Sequence, residues 1–192
     1  MSWIQDVKVG YEASTHVSWP LTSKKRTHLY FDLRDESSSF KAPTHKTARS
    51  LTPCANRLEF LTPTPEETVT WVDPLAVEHR VSSATETENL NVLIRLFPIK
   101  GTEILVRSTH DPKAPLAQGG LREPERTLDP ILSQPFQPFQ LKTAHEPLVL
   151  GHATKADTDV WPTLIAIPAR YRLGLRASPT MTTIVIAVSP PS

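Results

Sequence analysis

The chain is poor in the residues that usually announce a chemistry. It holds one cysteine, Cys54, so no disulfide can close within it, which fits folding under reducing conditions. Its six glycines are too few and too irregular for a propeller or β-helix, whose turns recur on glycine. There is no glycine-rich phosphate loop and no Gly-x-Ser-x-Gly elbow. No apolar run approaches the ~20 residues that span a bilayer. The first ten residues, Met1 to Gly10, include Asp6 and lack the apolar core of a signal peptide. The net charge is only +1 with the two signs mixed, so a strongly basic or acidic surface is not indicated. Only Lys24-Lys25-Arg26 forms a local cluster of one sign.

Metal-ligand and acid–base spacings are equally scarce. The seven histidines, His16, His28, His45, His79, His110, His145 and His152, include no His-x-x-x-His pair and read as isolated surface or loop residues. Glu66-Glu67 and Asp157-x-Asp159 are paired carboxylates beside prolines or polar residues, and they read as solvated turns. Cys54, in Thr52-Pro-Cys-Ala-Asn, reads as an incidental loop thiol. The expectation is therefore no catalytic residue, no metal, no cofactor and no enzyme activity.

What the chain does have is proline: 19 in 192 residues, against an average usage of about 5%. The prolines fall between short β-branched and aromatic runs, which reads as strands joined by stiff loops. Strand candidates are His28 to Leu33, Arg57 to Leu61, Thr68 to Val72 with Leu75 to Val81, and Phe139 to Thr143. Pro147 to His152 and Thr163 to Ile167 follow. Asn91 to Ile99 with Thr102 to Thr109, joined by Lys100-Gly101, reads as a hairpin. Glu36 to Ser50 reads as a polar loop, and His110 to Gln140 as a long proline-rich one.

The last stretch is the most ordered in pattern. From Arg170 to Ala177 the residues alternate, with Tyr171, Leu173, Leu175 and Ala177 on one face and Arg170, Arg172, Gly174 and Arg176 on the other. That is the period of a half-buried strand. Thr183 to Val188 is apolar at nearly every position, as in a strand buried on both faces. The strand count and spacing predict an all-β fold, a single jelly-roll β-sandwich with long Pro-rich loops. Residues 1–27 are expected to form an N-terminal arm carrying Trp3 and Trp19, and residues 28–192 the sandwich.

The arginine stripe demands a counter-charge: carboxylates on a neighbouring strand, phosphate, or an acidic subunit. Glu146-Pro-Leu-Val-Leu, Val160-Trp-Pro, Tyr171-Arg-Leu-Gly-Leu-Arg-Ala-Ser-Pro-Thr and the Thr-rich final run resemble the last strands of tymovirus-like plant virus coat proteins. The resemblance implies a capsid protein that self-assembles into an icosahedral shell, made in the host cytoplasm and resident in the virion. It also implies contact with other copies of itself and weak binding of genomic RNA, with no membrane. Lys24, Lys25, Arg26, Arg170, Arg172 and Arg176 are the residues it would set against RNA or a neighbouring subunit. Two other readings stand beside it. One is a non-catalytic β-sandwich interaction module or accessory subunit docking through residues 110–140. The other is a barrel with a dispersed enzymatic or ligand site.

Overall fold

The architecture comes from a computed structural model, which describes residues 2–6, 10–14, 25–98, 115–134, 136–180 and 184–188. Among these the chain is all-β, two six-stranded sheets with a single 3-10 turn, Glu123–Glu125. In chain order the strands are β1 Ser2–Asp6, β2 Gly10–Ser14, β3 Tyr30–Asp32, β4 Ser37–Ser39, β5 Thr47–Leu51 and β6 Leu58–Leu61. They continue with β7 Val69–Ser83, β8 Asn89–Pro98, β9 Ala117–Arg122, β10 Thr154–Ile167, β11 Tyr171–Pro179 and β12 Ile184–Val188. The first sheet runs β2-β1-β10-β7-β12-β5 and the second β3-β4-β6-β11-β8-β9.

Four antiparallel ladders nest inside one another: β5 with β12, β6 with β11, β7 with β10, and β8 with β9. The chain thus runs out and returns beside itself, and alternate ladders fall in opposite sheets. Inward-facing residues alternate along each strand, as a sandwich requires. Val81 and Val160 from the first sheet, and Leu58, Val92 and Leu173 from the second, are all 2% exposed or less. Each such side chain contributes about 1.5–3 kcal/mol by leaving water.

The long ladder β7–β10 is interrupted at one level. Val160 pairs with Leu75 and Thr163 with Asp73, so Trp161 and Pro162 stand opposite the single residue Pro74. A proline cannot donate to a ladder. Placing both prolines at one bulge confines the damage to a single break. The bulge leaves Trp161 61% exposed.

Several expectations are corrected. Ser178-Pro179 reads as a turn that would set the two closing strands side by side, but they are not neighbours: β11 lies between β6 and β8, and β12 between β7 and β5 in the other sheet. Nor is β12 buried on both faces, since Val185 is 36% exposed while Ile184 and Ile186 face the core. The polar stretch 36–50 contains β4 and β5, whose exposed, serine- and threonine-bearing sequences suit strands near sheet edges. Leu75 to Val81 continues the strand that begins at Val69, in a single β7 that runs on to Ser83, while residues 110–140, read as a loop, contain β9. Residues 139–143 and 147–152 are not strands. The expected partner of β8 across Lys100-Gly101 lies outside the described residues; β8 pairs with β9 and β11. Of residues 1–27, two segments lie in the first sheet: β1 pairs with β2, and in parallel with β10 at Gln5↔Ile165 and Asp6↔Ala166.

The two sheets meet most closely where β9 approaches β10. A Cβ built on Gly119 would lie 2.1 Å from the Asp159 carbonyl oxygen, so only glycine permits this approach. Gly119→Ala must push two backbones apart and is expected to cost roughly 2–3 kcal/mol. Urea unfolding of the variant checks this, and a loss below about 0.5 kcal/mol would show that the contact is slack.

Candidate functional site

The six basic residues singled out in the sequence do not converge. Lys24 lies outside the described residues. Lys25 is exposed, and the Arg26 guanidinium carbon sits 3.0 Å from the centre of the Phe136 ring. That cation–π contact clips residue 26 to the loop that follows β9. Arg170 is not on the strand: it occupies the turn before β11 with φ of 72°, a left-handed backbone rare for a side-chain-bearing residue. Arg176 stands opposite Glu59 in the β6–β11 register and donates from Nε to Glu59 Oε2 at 2.8 Å. Arg172 stands opposite Phe97, and its Nε is buried without a hydrogen-bond partner. Gly174, between the two arginines, leaves room for the Phe97 ring, which a Cβ there would approach to 2.3 Å.

The sequence reading missed a buried polar pair. His79 lies inside β7, on the core side, not in a loop or on the surface. Its Nε2 is 2.9 Å from Glu123 Oε1, and the two side chains are 5% and 0% exposed. Glu123 belongs to the 3-10 turn after β9, so this pair ties the first sheet to the end of the second. Beside it, Glu123 N–H donates to the Glu88 carbonyl at 2.8 Å. The wholly buried Glu88 carboxylate accepts from the amides of Asn89 at 2.8 Å and Thr180 at 3.2 Å. These contacts knot the starts of β8 and of the 3-10 turn to the end of β11. Forty-four residues separate His79 from Glu123, so no local spacing signals the pair.

Asp157 and Asp159 are not on a solvated turn either. Both lie on β10, and burial pushes both carboxyls above their ordinary range. Asp159 Oδ1 is buried with no hydrogen-bond partner. Asp32 is the reverse case: its hydrogen bonds from Arg34 hold its carboxyl well below the usual range, at the edge of an open cavity lined also by Tyr30, Lys41 and His45. Among the described residues no three His, Cys, Asp or Glu side chains gather as metal ligands would.

No family model matches the chain, and no curated protein matches it. Solved structures do. A CocE/NonD family hydrolase from Staphylococcus aureus superposes with a TM-score of 0.90 at 14% identity, over 97% of this chain and 38% of that one. An aminopeptidase from a marine sediment archaeon of the Thaumarchaeota superposes at 0.70 and 10% identity, over 97% of this chain and 38% of that one. An α-amino acid ester hydrolase superposes at 0.58 and 10% identity, covering 83% of this chain and 33% of that one. At these identities the likeness shows the fold: a two-sheet β-sandwich that spans about two fifths of the neighbours' length or less. It corrects the coat-protein reading. The neighbours are bacterial and archaeal hydrolases, so the capsid function, the viral kinship and the place in a virion all fall. The last strands resemble those of a coat protein because they obey the same packing rules, and packing rules do not specify function.

Two outcomes follow for the buried groups. Removing His79 leaves the Glu123 carboxylate uncompensated, so His79→Ala is expected to cost about 2–4 kcal/mol and Glu123→Gln distinctly less. Chemical denaturation of both checks the order. Asp159, with its folded pKa raised, binds its proton more tightly folded than unfolded. Its adverse effect is absent below the ordinary Asp pKa of about 3.9 and grows as pH rises through the folded value. Asp159→Asn is therefore expected to raise the Tm slightly at pH 7, with the gain fading by about pH 3.5. A gain that does not vary with pH would assign it to something other than the charge.

Proposed function

We propose that this chain is a non-catalytic β-sandwich domain that accompanies a hydrolase catalytic unit and forms part of its scaffold. The observation that carries the reading is the superposition at a TM-score of 0.90 over 97% of the chain, on only 38% of a hydrolase. A body of this shape recurs as a minor part of longer proteins named as hydrolases or an aminopeptidase, and in this reading the chemistry belongs to the remainder. The sealed His79–Glu123 pair supports this assignment: at 5% and 0% exposure it cannot meet a substrate, so it acts as a structural tie.

We infer further that the eight core strands form a jelly roll, with β1 to β4 as additions at the sheet ends. What supports this is the order of β5 to β12 within the sheets: first, eighth, third, sixth in one, and second, seventh, fourth, fifth in the other. That order is produced by folding a long hairpin over into two sheets.

The test uses the chain with the hydrolase catalytic domain encoded by the same gene or one beside it. The chain alone is expected to turn over neither p-nitrophenyl esters nor aminoacyl p-nitroanilides. The catalytic domain is expected to melt several degrees higher when produced with it. Turnover by the purified chain, or a gene neighbourhood without any hydrolase, overturns the reading.

A further inference from the structure

Residues 128–134 and 136–140 belong to a hydrogen-bonded loop in which three large apolar side chains, Ile131, Leu132 and Phe139, are exposed. Ile131 is 85% exposed, Leu132 56% and Phe139 52%. Exposed apolar residues are common singly but not as a held cluster, and these three are held together. Asp129 N–H donates to the Phe139 carbonyl at 2.8 Å, and Ser133 Oγ donates to that carbonyl at 3.1 Å and accepts from the Phe139 amide at 3.0 Å. The Asp129 carboxylate accepts from the amides of Ile131 at 2.8 Å and Leu132 at 2.9 Å. Its base is anchored as well: Gln140 Nε2 donates to the Asp157 carbonyl of β10 at 2.9 Å, and Arg26 covers Phe136. The loop is thus ordered before it meets anything, so docking it costs little conformational entropy.

Its chemistry narrows the partner. From Pro130 to Leu141 there is no charged side chain, and Asp129 spends its carboxylate on the loop's own amides. An uncharged apolar knob rimmed by Gln134, Gln137 and Gln140 offers nothing to phosphate or to an anionic lipid surface. It suits an uncharged apolar recess on a protein. The solved neighbours carry this fold as 38% or 33% of a longer chain, which makes a larger hydrolase body the partner to set against this surface.

We propose that Ile131, Leu132 and Phe139 form the docking surface for the hydrolase catalytic domain, an inference that rests on the accompanying role above. The measurement is binding of the full chain to that catalytic domain by isothermal titration calorimetry. The triple variant Ile131→Ser, Leu132→Ser, Phe139→Ser is expected to bind at least tenfold more weakly while keeping its circular dichroism and Tm. The single variant Ile131→Ser, at the most exposed position, gives a smaller loss in the same direction if the triple variant does not fold. Val185→Ser, exposed on the first sheet, serves as control and leaves binding unchanged. Wild-type binding with undiminished binding by the variants overturns this surface and leaves the accompanying role standing. No binding by the wild type overturns that role and the surface with it. Self-association of the wild type that the triple variant abolishes, without any effect on the catalytic domain, assigns the surface to a second copy and overturns the proposal.

Discussion

The nested ladders β5–β12, β6–β11, β7–β10 and β8–β9 are the constraint on which the rest of the molecule depends. Each joins segments that lie progressively further apart in the chain, and β12 can reach β5 only when the inner pairs are in place or able to form. Because the doubled chain is distributed over two sheets, each ladder presents one face to the same interior. Val81 and Val160 meet Val92 and Leu173 there because the pairing registers put them on that side. The price of such long-range closure is entropy paid before the contacts return it, which fits stiff proline-bearing connections between the strands.

Two features adapt this plan to an imperfect sequence. At the centre of the longest ladder, Pro74 and Trp161-Pro162 share one bulge, so two residues that cannot extend a ladder produce one break. At the close approach of the sheets, Gly119 lets the backbone of β9 come against Asp159. The buried His79–Glu123 pair ties the first sheet to the 3-10 turn, and the Glu88 carboxylate accepts from the amides of Asn89 and Thr180 at one end of the second. Glu88 thus supplies an acceptor to backbone amides where β8 begins and β11 ends.

Of the basic residues, Arg176 is engaged by Glu59 and Arg26 by Phe136, and the buried His79–Glu123 pair is out of reach of solvent. What stays unspent is the apolar knob of the 128–140 loop, held rigid by Asp129 and Ser133. A scaffold with a pre-ordered, uncharged contact is consistent with a body that recurs as the smaller part of longer hydrolases.

Where local pattern decides structure, the amino-acid order was sufficient. The alternation along Tyr171 to Ala177 specifies β11, the apolar run of β8 specifies a strand, and strand spacing specifies an all-β sandwich, because period-two burial is a property of neighbouring residues. The short β4 and the edge strand β5 escaped notice because strands at or next to an edge tolerate polar side chains on exposed positions. Which strands pair, that β11 and β12 part into opposite sheets, that His79 meets Glu123 and that Arg176 meets Glu59 were decided only in three dimensions. Those partners stand 44 and 117 residues apart, and a hydrogen bond across such a distance leaves no trace in local spacing. The same limit applies to kinship: final strands that follow common packing rules look alike in unrelated β-sandwiches, and it took the superposition of the whole fold to set the coat-protein reading aside.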